Sequence, residues 1–444
     1  MKKDEETIRY LKAFEQAKTA AHSEPSWLRG LREEAMTSFV ERGFPTLKDE
    51  AWRYTDVSAI RETPFIFDED EAALSSDVVA SWKQKFPGDI LFVVNGKFSP
   101  IHSRVPEGVE VMDLEEAIAK RSELVAPYLD REALKGMDAF SALNAAFSRH
   151  GLLIHVPARR VLSQPIQVVF LTDVEREHVL FSTRTFILMG KGSKASIVEI
   201  YASHAEKAYF TNAFSEFVLE PEAILEHAKI QIEPPDAFHI ASTRVTQQRG
   251  SVFSSCTVST GSRLMRNNCS VALAGEGASC ALNGLYLGDG SQLLDHHTFV
   301  DHQKPDGKSQ QFFKGLFSGH SRGVFSGRVL VRQDAQRTDA QQVNKNLLLS
   351  DDAKVDTQPQ LEILADDVKC SHGAAVGQLQ EDAIFYLRSR GIDEKNAGRM
   401  LAEGFAREVT DRSAPEYLKL ILTELVDTKL KAQFKNEKGI DHGA

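Results

Sequence analysis

More than half of this chain has the pattern of short strands separated by turns. From Leu152 to about Leu379 no helical period is present, and apolar or alternating runs such as IQVVFL, ASIVEIY and CALNGLYLG follow one another. Turns with two glycines recur at positions 190–193, 275–278 and 288–291, each ahead of another strand-like run. The pattern predicts a mainly β core.

The end of this region carries a regular repeat. Gln342, Gln360 and Gln378 are spaced 18 apart, and an apolar residue follows each of them at the same interval. Stacked coils of a solenoid require such ladders, because each coil places its residue above that of the coil before. The repeat therefore predicts a parallel β-helix. A β-sandwich or barrel stays open as the alternative, since three coils are a short sample and no constant period is found upstream.

Helical patterns flank the β region on both sides. The helical pattern gives way to strand-like runs at Gly151, and helical spacing of apolar residues returns after Leu379. We therefore expect three parts, namely an N-terminal helical and mixed domain over residues 1–150, a parallel β-helix core over 151–380 and a C-terminal helical domain over 381–444.

The C-terminal segment contains apolar residues at helical spacing, so each predicted helix has one apolar face. These residues are Met400, Leu401, Phe405, Leu418, Ile421 and Leu422. Such faces could cap the last coil of the solenoid, or they could bind another protein. The sequence leaves both alternatives open.

Charge and composition exclude several classes of partner. The chain has 53 Lys and Arg against 63 Asp and Glu, a formal charge of -10, and no basic run, which argues against nucleic acid. It opens on MKKDEETIRYLKAFEQA, a charged amphipathic pattern rather than a leader peptide, and no apolar stretch approaches the roughly 18 residues that span a bilayer. We therefore expect a cytoplasmic protein that does not bind membranes.

Cys370 and His372 stand two positions apart in VKCSHGAAVGQL. On a strand both side chains lie on one face and can share a soft metal or cluster atom, although a small buried cysteine is the simpler alternative. The register of the repeat places Cys370 beside Asp352 and His372 beside Lys354, a cation that would favour the thiolate. Iron and zinc usually take four ligands, so two donors predict a site that another chain completes.

A second group of candidate ligands lies in LLDHHTFVDHQKPDG. Strand alternation places Asp295, His297 and Asp301 on one face and His296 and His302 on the other. A self-contained iron site using His297 and His302 is one hypothesis, and polar ladders that stabilise the coils are the other. Because alternation scatters the ligands, the second hypothesis is favoured.

The remaining cysteines and motifs point to no catalytic chemistry. Cys256, Cys269 and Cys280 lie in strand-like runs beside Ser and Ala, without CxxC spacing, and we interpret them as small core residues. No Walker motif, Gly-x-Ser-x-Gly elbow or His-Glu-x-x-His helix occurs. The chain therefore has no enzyme signature of its own.

The run NLLLSDDAKVDTQPQLEILADDVKCSHGAAVGQLQEDAIFYLRSRGI, together with GFPTLKDEAWRYTDV and DAFSALNAAFSRHGLLIHVPARRVLSQPIQVVF, resembles the SufB/SufD family of iron-sulfur cluster assembly proteins. The resemblance spans nearly the whole chain. It implies a right-handed parallel β-helix between helical domains, a SufB-like paralogue bound through the β-helix and a SufC-like ATPase bound through the C-terminal helices.

The resemblance also implies how the site is used. In this family ATP hydrolysis in SufC is thought to shift the interface where a nascent cluster forms on SufB, with sulfur delivered by a desulfurase. Cys370 and His372 match the family's interface cysteine and histidine, with His372 the favoured ligand. We expect no cofactor held stably by the isolated chain, a transient cluster or iron at the interface, and a homodimer as one option for the chain alone.

The chain differs from SufB-like members at the ligand positions. It has Asn344 where they carry a cysteine, and Cys370-Ser371-His372 where they carry Glu-His-Glu. It is therefore expected to be the SufD-like, supporting half of the pair and a non-enzymatic scaffold. A β-helix polysaccharide lyase or hydrolase is the alternative, on fold analogy alone.

Overall fold

The computed structural model describes residues 5–20, 24–67, 74–86, 88–129, 137–413 and 415–436. Its helices are α1 Glu5–Ala20, α2 Ser26–Arg42, α3 Ser58–Glu62, α4 Ser76–Lys85, α5 Leu114–Lys120, α6 Ser122–Val125, α7 Ala139–Phe147, α8 Glu381–Ser389, α9 Glu394–Ser413 and α10 Glu416–Asn436. The strands of the N-terminal part are β1 Ile66–Phe67, β2 Asp89–Val94, β3 Lys97–Phe98 and β4 Glu110–Asp113.

The core is a parallel β-helix whose successive strands alternate between two sheets. Its strands are β5 Gly151–Val156, β6 Ile166–Thr172, β7 Val179–Met189, β8 Lys194–Ser203, β9 Tyr209–Leu219, β10 Ile224–Gln231, β11 Phe238–Gln247, β12 Val252–Ser259, β13 Leu264–Leu273, β14 Ser279–Gly288, β15 Leu293–His302, β16 Lys308–Phe317, β17 Arg322–Val331, β18 Thr338–Leu348, β19 Lys354–Ile363 and β20 Val368–Gln378. We call the sheet of odd-numbered strands sheet A and the sheet of even-numbered strands sheet B. The predicted fold class is confirmed.

The prediction that one coil spans 18 residues, by contrast, is wrong. A full coil is longer and varies, since it leads from Phe238 to Leu264 in one place and from Gly151 to Arg184 in another. Each coil contributes one strand to each sheet. The spacing of 18 residues between the glutamines is therefore the distance from a strand in one sheet to the next strand in the other sheet, not the length of a full coil. Gln342, Gln360 and Gln378 accordingly lie in β18, β19 and β20, which belong to sheet B, sheet A and sheet B.

Inward side chains of both sheets form one long apolar core, from Leu152 in the first coil to Val331 near the last. Burying a Val, Leu, Ile or Phe side chain stabilises a fold by about 1.5–3 kcal/mol, so this core is the main source of stability. The two-glycine turns between strands are also confirmed. Gly192 and Gly277 have φ of 65° and 68°, a left-handed conformation that residues with a Cβ rarely adopt.

The N-terminal part covers the first coil and the outer face of sheet A. β2 extends sheet B by pairing with β6, and β4 pairs antiparallel with β5. Aromatic residues from α1, α2 and α7 form one buried cluster with outward residues of sheet A; Phe140 of α7, for example, contacts Phe210 of β9 with ring centroids 5.9 Å apart. The N-terminal end of the solenoid is therefore closed.

The C-terminal helices α9 and α10 lie along the outer face of sheet B, where α9 contacts β12, β14 and β16. Leu418 and Leu422 are fully buried against this face. The helices therefore do not cap the last coil, which corrects one alternative left open by the sequence. β19 and β20 each end their sheet without a further strand partner in the described part of the chain.

Candidate functional site

Cys370 and His372 lie on β20, the last strand of sheet B, at the uncovered end of the solenoid. Cys370 lies opposite Ala340 and His372 opposite Gln342 on β18. The prediction that Asp352 and Lys354 lie beside Cys370 and His372 is therefore wrong. It followed from taking 18 residues as the length of a full coil. The prediction that both donors share a face is confirmed, since residues two apart on a strand point the same way.

The environment of Cys370 favours the thiol rather than the thiolate. Burial raises the pKa of this thiol, a backbone hydrogen bond at Ala340 lowers it, and the nearby carboxylate of Asp339 raises it further. The net direction is upward, and the cation predicted from Lys354 is not among its neighbours. His372 is exposed at the same end, and its imidazole offers a nitrogen donor without the loss of a thiol proton.

The donor set fits a soft metal or a cluster only in part. A thiol and an imidazole are ligand types found at iron-sulfur and zinc sites, but such sites usually take four ligands. Within the described ranges, three ligating groups lie within 4.8 Å of one another at Asp113, Glu115 and His150, a group near β4 and not at the solenoid end. Cys370 and His372 therefore form a partial site.

Polar side chains lie immediately beneath this partial site, inside the last coils. The Asn344 amide nitrogen donates to the Tyr286 hydroxyl at 3.0 Å, and the Asn344 amide oxygen accepts from Asn346 at 2.6 Å. The Gln342 amide nitrogen donates to the Gln311 amide oxygen at 3.2 Å. The floor of the open end is therefore a hydrogen-bonded layer of amides and one phenol, and Asn344 serves as a member of that layer.

The histidine-rich segment forms β15, and its side chains separate to the two predicted faces. On the outer face, Asp295 accepts hydrogen bonds from Thr55 at 2.6 Å and Arg266 at 2.9 Å and lies 3.0 Å from the His297 ring. Thr55 belongs to the N-terminal part, so this cluster attaches that part to sheet A. His302 lies on the inner face, where its Nε2 is 2.9 Å from the Ser309 hydroxyl.

The inner-face histidines of β15 are held neutral. Burial lowers the pKa of His296 to about 3 and that of His302 to about 4. His297 and His302 lie on opposite faces and contact different partners. They are not brought together as ligands of one ion, and the arrangement supports the polar-ladder interpretation.

The other cysteines are packing residues. Cys256 is buried on the outer face of sheet B beneath the C-terminal helices, and Cys280 is buried inside the solenoid. Cys269 packs against the same interior, and burial raises its pKa to about 12. All four cysteines are free thiols.

Sequence reasoning missed a network of ionisable side chains inside the solenoid. Its five members are at most 4% exposed and project inward from strands of both sheets and from the turn after β10. They are Glu199, His227, Lys229, Glu233 and His239. The signal was present in runs such as EHAKIQIE, where ionisable residues alternate with apolar ones on a strand whose two faces are both covered.

Short contacts between carboxylates and imidazoles compensate the burial of this network. Glu199 lies 3.3 Å from the His227 ring, and Glu233 lies 2.7 Å from the His239 ring. Lys229 donates to the Asn267 amide oxygen at 3.0 Å. Burial lowers the pKa of Lys229 and of His239.

The two carboxylates of the network remain ionised. Burial raises the pKa of Glu199, but hydrogen bonding and charge from His227, with Lys229 beyond it, bring it below its ordinary value. Burial also raises the pKa of Glu233, but its interaction and hydrogen bond with His239 bring that pKa below its ordinary value. Removing one partner of such a buried pair typically costs about 3–5 kcal/mol, so the network constrains the interior strongly.

The predicted partner-binding residues of the C-terminal helices differ in accessibility. Leu418 and Leu422 are buried, Phe405 and Ile421 pack partly against sheet B, Leu401 is half-buried and Met400 is exposed. The buried members stabilise the helices on the solenoid and are not available to a partner. The large apolar residues exposed on these helices are Phe385, Tyr386, Met400, Tyr417 and Leu420. No helix in the described ranges is long and apolar enough to cross a bilayer.

Comparison with known proteins gives matches along nearly the whole chain. The family described as SUF system FeS cluster assembly, SufBD core domain, matches residues 170–405, and the SufBD protein N-terminal region matches residues 4–168. A SufBD family iron-sulfur cluster assembly protein of Synechocystis is 32% identical over 416 residues, which cover 90% of this chain and 91% of the relative. Iron-sulfur cluster assembly protein SufD of Escherichia coli is 31% identical over 403 residues (86% and 89%), and SufD of Bacillus subtilis is 25% identical over 443 residues (95% and 97%).

Proposed function

The chain belongs to the SufBD family of the SUF system for iron-sulfur cluster assembly, and we propose that it is a non-enzymatic scaffold subunit that acts beside a SufB-like paralogue and a SufC-like ATPase. The observation that carries the proposal is the open last coil, with Cys370 and His372 on its inner side. The cluster or iron is the cargo of this site, not a resident cofactor. Family membership replaces the polysaccharide lyase alternative, which depended on fold analogy.

The uncapped strands β19 and β20 support pairing with a SufB-like chain. An edge strand presents backbone N–H and C=O groups that a second chain can pair with. Apolar side chains are exposed beside these edges, with Ile363 at 41%, Leu364 at 56% and Val376 at 45%. Edge pairing with a β-helix paralogue satisfies both the backbone groups and these side chains, and it brings further ligands to the partial site.

His372 is the favoured ligand of the two. Its ring is exposed at the interface end, whereas the Cys370 thiol is half-buried and its pKa is raised by burial. A thiol must lose its proton to bind a metal, so Cys370 is the weaker donor near neutral pH. With only these two donors the isolated chain holds no stable cluster, and loading requires the complex.

A SufC-like ATPase fits the exposed apolar residues of the C-terminal helices. Phe385 and Tyr386 on α8 are 73% and 58% exposed, and Leu420 on α10 is 78% exposed. Aromatic residues concentrated on one surface are typical of contacts between proteins. This set replaces Leu418 and Leu422 as the proposed docking residues.

Co-expression with the two partners tests the assembly directly. Affinity purification of this chain should recover both partners, and the double variant Phe385→Ser/Tyr386→Ser should lose the ATPase while retaining the paralogue. The proposal would be refuted if the unaltered chain recovered neither partner. It would also be refuted if co-expression gave this chain only as a homodimer.

Cluster loading of the purified complex tests the site. His372→Ala should lower the iron and sulfide content several-fold without changing complex formation, because an exposed side chain contributes little to stability. His204→Ala is the matched control, since His204 is also exposed but lies in an early coil. Equal loading of the two variants would contradict the assignment of His372.

A further inference from the structure

We infer that Tyr54 is a positioning residue for the edge strand β19. It belongs to a short segment, residues 51–55, that crosses the outer face of sheet A and that we call the strap. Tyr54 attaches β19 to the N-terminal part of the chain and so keeps this edge in place for a partner strand. The consequence for the partner rests on the proposed function, whereas the attachment itself does not.

The strap begins on the middle strands of sheet A. Arg266 of β13 donates to the Ala51 carbonyl at 2.7 Å, and its guanidinium lies 3.7 Å from the centre of the Trp52 ring. The Thr55 hydroxyl donates to Asp295 of β15 at 2.6 Å. Since β13, β15, β17 and β19 are consecutive neighbours in this sheet, two strands separate these contacts from the free edge.

Tyr54 extends the strap across those two strands. Gln358 of β19 donates from Nε2 to the Tyr54 hydroxyl at 3.1 Å. A phenol can donate as well as accept, so this bond can form with either orientation of the amide. The guanidinium groups of Arg322 on β17 and of Arg53 each lie 5.6 Å from the centre of the Tyr54 ring, a distance typical of cation–π contacts.

A second contact joins the same ring to β19. Arg322 donates from Nε and Nη2 to Asp356 Oδ2, at 2.9 and 2.6 Å. Asp356 stands two positions before Gln358 on β19, so both side chains project from the outer face. Tyr54 is therefore connected to this strand directly through Gln358 and indirectly through Arg322.

The residues on either side of Tyr54 are fixed in the N-terminal core. Trp52, Thr55 and Val57 are at most 4% exposed. The Trp52 ring lies 5.2 Å from the ring of Phe140 on α7, a helix that contacts β7 and β9 of the same sheet. The strap is thus anchored at several points, and Tyr54 is a fixed support for the strand that it contacts.

The strand β19 has fewer other supports than the strands before it. It pairs with β17 on one side, and among the described residues no strand pairs with its other side. None of its residues is buried, whereas β15 and β17 each contain several buried side chains. Segments with few buried contacts open most easily, so an added attachment should have its largest effect on β19.

The consequence for assembly is a strand that is ordered before a partner binds. A partner that adds a strand to an edge pairs with its backbone groups, and these must be in line for a continuous ladder. Ordering the edge in advance removes part of the entropy cost of association. Tyr54 therefore strengthens binding of the SufB-like partner by holding β19 against β17.

Hydrogen exchange of the full chain without a partner, followed by mass spectrometry of its peptides, tests the attachment. The N–H groups of Lys354 and Leu364 donate to carbonyls that flank β17, so peptides that span β19 report its pairing. Tyr54→Phe removes only the hydroxyl and should speed this exchange by about 3–10-fold, the range expected for one hydrogen bond. Tyr54→Ala also removes the ring and should speed it further.

Controls separate positioning from a general loss of stability. Tyr128→Phe removes a hydroxyl beside Phe186 of β7, far along the sheet, and should leave exchange of β19 unchanged. The double variant Tyr54→Phe/Gln358→Leu should exchange no faster than Gln358→Leu, because the single change has already removed the bond.

The strands β13 and β20 should keep the exchange of the unaltered chain in Tyr54→Phe. The inference is overturned if β19 exchanges equally in Tyr54→Phe and in the unaltered chain, or if β13 and β20 accelerate as much as β19. Both comparisons use the most conservative variant, so they do not depend on whether Tyr54→Ala folds.

Binding of the SufB-like partner distinguishes this inference from the proposed function. Tyr54→Ala should bind the paralogue several-fold more weakly than the unaltered chain and should still recover the ATPase. Equal affinity of the two chains for the paralogue would overturn the consequence for assembly. If the unaltered chain does not bind the paralogue at all, the proposed function fails, while the exchange comparison still decides whether Tyr54 holds β19.

Discussion

Protonation of His296 should make the solenoid lose stability in acid. The side chain is 1% exposed and contacts the rings of Tyr286 and Phe313 at centroid distances of 5.0 and 5.7 Å. Burial lowers the pKa of His296 from 6.5 to about 3, with the charge of Asp295 opposing and that of Lys229 adding to the effect. Between pH 6.5 and pH 3, His296 is therefore neutral in the folded protein and protonated in the unfolded chain.

The sign and size of the effect follow from linkage. A folded-state pKa below the unfolded one means that the stability is fully present above pH 6.5 and is lost as the pH falls toward 3. Each pH unit in that window is worth about 1.36 kcal/mol, so His296 should account for a loss of about 3 kcal/mol between pH 7 and pH 4.

The substitution His296→Phe removes the titrating group and keeps the aromatic contacts. Denaturant unfolding followed by fluorescence and circular dichroism, at several pH values from 7 to 4, should show a shallower loss of stability for His296→Phe than for the unaltered chain. His204→Phe is the matched control at an exposed position and should follow the unaltered chain. Parallel curves for His296→Phe and the unaltered chain would refute the reasoning.

Two further predictions use the same unfolding measurement. Burial raises the pKa of Glu216 from 4.5 to about 7, so its stabilising contribution is present below pH 4.5 and is lost as the pH rises through 7. By pH 8 the free energy of unfolding of Glu216→Gln should therefore exceed that of the unaltered chain by up to ~3 kcal/mol more than it does at low pH. A difference that does not change with pH would contradict this prediction. Gly327→Ala should destabilise the chain by about 1–3 kcal/mol, because the new methyl displaces the Gln342 amide. The control Gly373→Ala, where an added Cβ meets nothing within 4 Å, should stay within about 0.5 kcal/mol, and equal effects of the two changes would sink the packing argument.

The sequence predicted the β-helix and the shared face of Cys370 and His372 because strand alternation is a local property. It failed on the coil length, since a two-sheet coil returns to the same sheet only after two strands, and one regular step from strand to strand resembles a full repeat. It also left the helix face containing Leu418 unassigned, because an apolar face does not specify which surface covers it. The buried pair of Glu199 and His227 was missed, since ionisable residues are normally expected outside a core.

The contrast between His296 and His372 explains why the candidate site lies at the end of the solenoid. Both occupy inward positions on strands of the same β-helix. At His296 later coils close over the side chain, and burial lowers its pKa and keeps it neutral and inaccessible. At His372 no strand of the described chain follows in sheet B, so an inward position becomes an exposed one. One more coil would make His372 another member of the interior polar ladder behind Gln342. Ending the repeat at β20 therefore turns a structural position into one that a partner can reach.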